Sequence, residues 1–209
     1  MPRPTAPGRS RSAPQLSDEL QEWISGDHDK TLGGLMDLFG ERSFGLLFVL
    51  LLGVSALPLP TGGATHVLEV IAVLLAGQLV LARRQIWIPQ RWRGLTMAGT
   101  RQQRFLNVMM RLIRRLERLS RPRLAWLFDH PASDRIFGCL VIAGTVGAFV
   151  APPFSGLDTL PSLGVVLLSL GVLLKDAAIA AGAILVGAAG VVLEFVIGRA
   201  AIHSLGSLF

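Results

Sequence analysis

The sequence lacks many of the residues and motifs on which enzymes depend. Its 209 residues include one cysteine, Cys139, so an intrachain disulfide and a cysteine-based zinc site are both excluded. A Walker loop and the motifs GxGxxG, GxSxG, HExxH and CxxC are also absent. We therefore expect no metal, no cofactor and no catalysis of these classes. Because Cys139 lies in an apolar run, we expect it to be a buried small residue.

Charged residues are scarce and unevenly distributed. They make up 16% of the chain, against about 25% in a soluble globular domain, whereas 51% of the residues are hydrophobic. Between Arg83 and Arg123 there are 12 arginines and one acid, Glu117. Because this basic zone adjoins apolar runs, anionic lipid headgroups are its simplest partner, and we predict no nucleic-acid binding.

A polar N-terminal part precedes the apolar runs. Residues 1–15 lack the apolar stretch of a signal peptide and are predicted to be a disordered tail. Residues 16–41 predict two short amphipathic helices, capped by Ser17 and Thr31, and the second of these stops at Gly40. Both helices are too polar to cross a bilayer, so this part is predicted to form a cytosolic cap.

The apolar segments are 44–57, 67–82, 136–150, 160–174 and 177–197. Only the last reaches the length of about 20 residues that a spanning helix needs. The other four come in two pairs, each joined by a break rich in proline and glycine. Each pair is either two short spanning helices or a re-entrant hairpin, and segment length favours the hairpin.

The two pairs align with each other when the chain is shifted by 93 residues without a gap. The shift superposes Arg42 on Arg135, Phe44 on Phe137, Gly45 on Gly138, Pro60 on Pro153 and Gly63 on Gly156. We interpret this as an internal repeat. The predicted organisation is a first membrane repeat 42–83, a basic linker 84–133, a second membrane repeat 134–176, a final spanning helix 177–198 and a tail 199–209.

The linker contains an amphipathic helix. Apolar residues recur at spacings of four and three, at Phe105, Met109, Leu112, Leu116 and Leu119. The positions between them carry arginines, which we expect to contact lipid headgroups: Arg101, Arg104, Arg111, Arg114, Arg115 and Arg118. The helix either lies in the membrane interface or packs on the cytoplasmic face of the protein itself.

The distribution of arginine also predicts a multi-pass orientation. Neither break contains Lys or Arg, whereas the linker is strongly basic, so the positive-inside rule places the linker in the cytoplasm. The N-terminus is then cytoplasmic, and the C-terminus lies in the periplasm or outside.

Interrupted helices in matching positions of two halves indicate a transporter-type binding site. Non-helical backbone at membrane depth survives only where it is buried or lines a cavity, and it offers groups that bind ions or anionic ligands. The predicted substrate or ion site comprises Pro58, Pro60, Thr61, Gly62, Gly63, Thr65, His66, Glu69, Pro153, Gly156, Asp158 and Thr159.

The ionisable residues near the breaks allow two interpretations. His66 and Glu69 share a helix face and could relay a proton or bind a cation, or both could lie solvated at the outer surface. Asp158 and Thr159 could line the site, or they could cap the helix that follows. For Glu194 we expect a surface acid that snorkels, with a buried partner such as His66 or His203 as the alternative.

Two further features are interpreted structurally. The cluster of Asp129, His130 and Asp134 around a proline predicts helix capping and a turn. Small residues four apart, at Ala143 and Gly147 and at Ala183 and Gly187, favour close helix packing within the subunit or in a homodimer.

Several stretches together resemble the bacterial exopolysaccharide synthesis ExoD family. They are TLGGLMDLFGERSFG, PLPTG, RRQIWIPQRW, RLERLSRPRLAWL and PPFSGLDTLPSLGVVLLSLGVLLKD, in that order. The resemblance implies an integral protein of the bacterial inner membrane that is linked to exopolysaccharide production. Asp158 stands where such proteins usually carry Asn, and His66 and Glu69 also differ from the residues that the resemblance implies.

We therefore expect an all-α integral membrane protein with two related interrupted-helix hairpins, a basic amphipathic interfacial helix and a C-terminal spanning helix. The expected function is a non-enzymatic inner-membrane component of exopolysaccharide synthesis, transporter-like, for an ion or an anionic lipid-linked precursor. Two alternatives remain open. One is a scaffold that recruits polysaccharide-synthesis proteins, and the other is an enzyme acting on a lipid-linked sugar.

Overall fold

The computed structural model describes residues 16–26, 31–57, 64–83, 86–94, 100–120, 123–151 and 157–206. Its α-helices are α1 Leu16–Ser25, α2 Leu32–Phe39, α3 Ser43–Ser55, α4 Ala64–Val80, α5 Gln90–Arg93, α6 Thr100–Leu119, α7 Ala125–Phe128, α8 Pro131–Val150, α9 Thr159–Leu173 and α10 Ala177–Gly206. These described ranges contain no strand, so the all-α prediction is confirmed. The predicted tail 1–15 lies outside them.

Most of both breaks also lies outside the described residues. Of the predicted site, this applies to Pro58, Pro60, Thr61, Gly62, Gly63, Pro153 and Gly156. The structure does describe Thr65, His66, Glu69, Asp158 and Thr159, which lie at or beside the starts of α4 and α9.

The N-terminal helices are held by local caps and by long-range hydrogen bonds, one of which runs from Arg93 on α5 to Asp37 on α2 at 2.7 Å. Thr31 accepts a hydrogen bond from the Gly34 amide at 3.1 Å, and α2 stops at Gly40, which has φ of +52°. Both predictions for α2 are therefore confirmed. The predicted cap at Ser17 is wrong, because α1 already begins at Leu16. The Ser17 amide instead donates to Glu117 on α6 at 2.9 Å.

Helices α3 and α9 form the centre of the bundle. Both are apolar on every side and short, with 13 and 15 residues, and most of their side chains are buried. They pack against each other, α4 packs against α8, and α10 packs along α9. A helix that is apolar over its whole circumference is stable only away from water, and here the neighbouring helices enclose α3 and α9.

Two close contacts of the bundle correspond under the shift of 93 residues. A Cβ atom on Gly45 in α3 would lie 2.9 Å from the Leu173 side chain in α9. A Cβ atom on Gly138 in α8 would lie 2.8 Å from the Val80 side chain in α4. The shift carries Gly45 onto Gly138 and Val80 onto Leu173. The same glycine-to-aliphatic contact thus joins each first helix to the second helix of the other half.

The surrounding helices expose apolar side chains. The large ones are Val67, Val70 and Leu74 on α4, Ile136, Val146, Phe149 and Val150 on α8, and Ile184, Leu185, Val192, Leu193, Phe195, Val196 and Ile197 on α10. We call this surface the apolar outer face. Large exposed apolar surfaces are rare on soluble monomers and mark contact with lipid or protein.

Two described helices are long and apolar enough to cross a membrane, Ala132–Val150 and Ala177–Arg199. The first is longer than its apolar segment 136–150, because α8 already begins at Pro131. Cys139 is exposed on this helix, so the prediction that it is buried is wrong. Its neighbours explain the error, since apolar residues of α8 lie on the outside of the bundle as well as in its core.

The basic helix α6 packs against the protein with one face. Its Met109, Met110 and Ile113 are buried in the core, and it contacts α1 and α3. Leu112 and Leu116 pack partly against the core, whereas Leu119 is 74% exposed and does not continue the predicted apolar stripe. Arg111, Arg114, Arg115 and Arg118 are exposed; the side chains of Arg101, Arg104 and Phe105 lie outside the description.

A close approach between α9 and α10 generates a prediction about stability. A Cβ atom on Gly164 would lie 2.5 Å from the Gly187 Cα atom, and backbone cannot move aside without separating the helices. Gly164→Ala should lower the melting temperature in detergent by about 5 °C or more through overpacking. Gly182→Ala is the matched control, because a Cβ atom there meets nothing within 4 Å. Equal melting temperatures for the two variants would contradict this packing.

Candidate functional site: a buried cluster of acids

The side chain of Glu69 lies inside the bundle. It is on the second turn of α4, has 0% of its surface exposed, and its Oε2 is 3.1 Å from Nδ1 of His66. Because α4 is helical here, residues three apart share a face, and the two side chains meet as predicted. The alternative that both are solvated at the surface is therefore wrong for Glu69.

His66 lies between Glu69 and the surface. Its side chain is 27% exposed, and its ring centroid is 5.1 Å from that of Phe149 on α8. Thr65 beside it is buried. The partly exposed imidazole therefore has the interior carboxylate on one side and the protein surface on the other.

Two buried hydroxyls belong to the same end of the bundle. Ser55, the last residue of α3, has its hydroxyl beside the Glu69 carboxylate, without a well-aligned hydrogen bond. Ser162 in the first turn of α9 is 0% exposed, and its hydroxyl also has no hydrogen-bond partner among the described groups. The shift of 93 residues superposes Ser162 on Glu69, so both halves place a buried polar group at this position.

Asp158 lies at the start of α9 and does not act as a side-chain cap. It occupies the N-cap position, but its carboxylate makes no capping hydrogen bond. It is half-buried and interacts electrostatically with both Glu69 and Glu194. The interpretation of Asp158 as a capping side chain is thus wrong. Thr159 is the first helical residue and is also half-buried.

Glu194 is the third acid of the cluster, and the predicted site did not include it. It is 9% exposed and interacts electrostatically with Asp158 and Glu69, so the expectation of a snorkelling surface acid is wrong. The side chain of His203, one suggested partner, lies outside the description. An acid near the end of an apolar helix reveals nothing by itself about which neighbours enclose it, and therefore the sequence could not show this contact.

Small residues bring α10 close enough to place Glu194 in the cluster. A Cβ atom on Gly190, one turn before Glu194, would lie 2.7 Å from the backbone nitrogen of Pro161. A Cβ atom on Gly147 of α8 would lie 2.6 Å from the Val191 side chain. Gly187 likewise packs on Gly164. These small residues therefore serve packing within the chain, and the homodimer stays a prediction.

The charges of this cluster do not balance. Its three carboxylates belong to Glu69, Asp158 and Glu194, and its only cationic partner among the described groups is His66. Neither Lys nor Arg is among the described groups that act on Glu69 or Glu194. A buried carboxylate without a counter-charge is energetically costly, so such a cluster favours uptake of a proton or a cation.

Comparison with known proteins shows the relationship of the chain. The family model described as Exopolysaccharide synthesis, ExoD, matches residues 16–196.

The chain belongs to the ExoD family.

Two relatives agree with this assignment. The chain is 30% identical to Protein ExoD of Rhizobium meliloti over 172 residues, which cover 80% of this chain and 70% of that protein. It is 28% identical to an uncharacterized protein of Synechocystis sp. over 187 residues, which cover 88% of this chain and 84% of that protein. No solved structure gives a significant match.

The resemblance predicted from sequence motifs is thus confirmed, and the ExoD family is implicated in exopolysaccharide synthesis. Together with the two long apolar helices, membership of this family indicates that the chain associates with a membrane.

The other polar cluster of this ExoD protein is structural. Nδ1 of His130 accepts a hydrogen bond from the Ala132 amide at 3.2 Å and caps α8. Asp129 pairs with Lys175 at 2.5 Å on the surface and joins α7 to the turn before α10. The predicted capping and turn at this point are therefore confirmed.

The acid cluster generates a prediction about stability. Glu194→Gln keeps the size of the side chain and removes one of three mutually repelling carboxylates. We expect the melting temperature in detergent to rise by about 2–4 °C, which corresponds to about 1 kcal/mol in a domain of this size. Glu22→Gln, on the exposed face of α1, is the control and should change little. A fall in the melting temperature of Glu194→Gln would show that Glu194 is held by a stabilising partner instead.

Proposed function

We propose that the chain is a non-enzymatic, transporter-like component of exopolysaccharide synthesis in the bacterial inner membrane, and that it moves a proton or a monovalent cation through the acid cluster. The observation that carries the proposal is the carboxylate of Glu69. It has no exposed surface, faces one histidine, and shares its surroundings with two further acids.

Electrostatics favours a cation over an anion at this site. Three carboxylates and one imidazole repel a phosphate or a carboxylate and attract a positive ion. Sequence reasoning left an ion and an anionic lipid-linked precursor as alternatives for the breaks. The acidic surroundings favour the ion, and His66 supplies a residue that can pass a proton between the surface and Glu69.

Burial also argues against a catalytic role for Glu69. An enzyme acting on a lipid-linked sugar needs acids that face each other across a cleft open to the sugar. Since no part of Glu69 is exposed, a sugar cannot contact it. A proton or a small cation can reach it through a path far narrower than a sugar requires.

The architecture supports a site between two related halves. Each half contains one short, enclosed helix, α3 in the first and α9 in the second, and the contacts Gly45–Leu173 and Gly138–Val80 exchange under the shift of 93 residues. Ionisable groups enclosed by membrane helices mark ion and proton pathways. A binding site at the interface of structural repeats is the general arrangement of transporters.

Flux through the purified protein tests the proposal. Proteoliposomes containing a pH-sensitive dye should show proton movement on an imposed pH gradient, or proteoliposomes containing a Na⁺- or K⁺-sensitive dye should show cation movement on a gradient of that ion. Glu69→Gln should reduce the rate by about tenfold or more, because an amide cannot accept and release a proton. The control Glu22→Gln should leave the rate unchanged, and circular dichroism should show both variants folded.

The outcomes distinguish the alternatives. Wild-type vesicles that move none of these ions would overturn the proposal, as would equal rates for Glu69→Gln and wild type. If Glu69→Gln also supports normal exopolysaccharide production while reversal of the α6 arginines abolishes it, the scaffold is the better explanation.

A further inference from the structure

A cavity of about 310 Å³ lies between α3, α6 and α9, outside the acid cluster. Three helices line it: the last turns of α3, the middle of α6 and the first turns of α9. The residues that matter for its chemistry are Gly53, Ala56, Arg111, Arg115, Leu163 and Val166. Its volume is within the range of small-molecule pockets in proteins.

The floor of the cavity is apolar because of particular residues. Gly53 has no side chain and Ala56 only a methyl group, which leaves space at the end of α3 beside Leu163 and Val166 of α9. Met109 and Leu112 of α6 cover the remaining side. These surfaces accept a hydrocarbon chain and offer nothing to a soluble polar molecule.

The rim of the cavity is cationic. Arg111 and Arg115 lie one turn apart on the same face of α6, and both are exposed. None of the described residues that line the cavity is acidic. Nε of Arg111 donates a hydrogen bond to the Asn107 carbonyl. This bond holds the guanidinium group in place and leaves its two terminal nitrogens for a ligand. Two guanidinium groups at this spacing suit the oxygens of one phosphate group.

A second groove provides a contrast. It has a volume of about 460 Å³, lies between α7, α8, α9 and α10, and is lined almost wholly by apolar residues. Its described lining includes Asp134 but neither Lys nor Arg. The cavity beside α6 therefore shares its apolar lining with this groove and is distinguished from it by the two arginines.

We propose that the cavity between α3, α6 and α9 binds one lipid that carries a phosphate group, with the phosphate on Arg111 and Arg115 and the hydrocarbon chain on the floor. Charge complementarity selects the anionic headgroup, and the apolar floor selects a lipid over free phosphate. Such a lipid would contact the outer side of α3, whereas Ser55 of the same helix lies beside Glu69. This inference does not depend on ion movement through the acid cluster.

Lipid binding to the full-length protein in detergent tests the inference, with phosphatidic acid as the probe and native mass spectrometry as the measurement. Arg111→Gln combined with Arg115→Gln should weaken binding by about tenfold or more, because it removes the charged hydrogen-bond donors to the phosphate. Arg114→Gln combined with Arg118→Gln is the matched control. It removes the same charge from the same helix but not from the cavity, and it should keep most of the affinity.

Further binding measurements separate the contribution of the headgroup charge to affinity from that of the hydrocarbon chain. Phosphatidylcholine should bind weakly, because its headgroup has no net negative charge, and inorganic phosphate should bind weakly, because it lacks a chain. Ala56→Leu should fill the floor and weaken phosphatidic acid binding in a folded protein.

Equal losses in the two double-arginine variants would overturn the inference, because they would indicate unspecific attraction to a basic helix. Binding of inorganic phosphate as tight as that of phosphatidic acid would overturn the role of the floor. If Ala56→Leu does not fold, the comparison of the two arginine pairs still decides the question.

Discussion

The burial of the Glu69 carboxylate is the feature that the surrounding structure must compensate, because a buried charge is energetically costly. It has no exposed surface, and its partner His66 is half-buried and cannot balance the further acids Asp158 and Glu194. An isolated ion in an apolar interior is costly, so the surrounding helices must either neutralise the cluster or supply a path by which a proton or a cation does so. The small residues of α8, α9 and α10 raise the electrostatic cost of the cluster, because their close packing brings the carboxylate of Glu194 to the same place.

A second constraint explains why the cluster lies inside the bundle. Helices α3 and α9 are apolar all round and only 13 and 15 residues long, so they need the other helices to enclose them. Each is enclosed partly by its own half and partly by the other, through contacts that exchange under a shift of 93 residues. The enclosure brings the end of α3 and the starts of α4 and α9 together. It also leaves the other side of α3 to α6, whose arginines line a cavity close to Leu57, just before the first break. The sequence predicts that the basic linker lies on the cytoplasmic side and the breaks on the opposite side. It therefore does not predict that α6 lies close to the end of α3.

Local patterns predicted the elements of the fold better than the contacts between them. Thr31 and Gly40 bound α2 as expected, and the glycine, proline and helical spacing around His66 and Glu69 indicated a polar site, because these signals depend on neighbouring residues alone. The burial of Glu194, the exposure of Cys139 and Leu119 and the hydrogen bond from Ser17 to Glu117 all depend on which helix lies opposite. One apolar stretch looks the same whether it faces lipid or a neighbouring helix. His66, Glu69 and Asp158 also differ from what the family resemblance implies, so the acid cluster is proposed for this chain and not for every ExoD protein.

The central claim is that Glu69 lies inside a membrane-embedded bundle and that His66 is open to water on one side of the membrane only. Cysteine accessibility in sealed membrane vesicles tests this most directly. In a Cys139→Ser background, His66→Cys, Val70→Cys and Leu74→Cys would each be exposed to a membrane-impermeant maleimide, and labelling would be compared with that of the unfolded protein. The account predicts that position 66 is labelled from one side only. Positions 70 and 74 should stay unlabelled, although their side chains are 46% and 63% exposed on the protein, because lipid covers the apolar outer face. Equal labelling at all three positions would place this part of α4 in water and contradict the account.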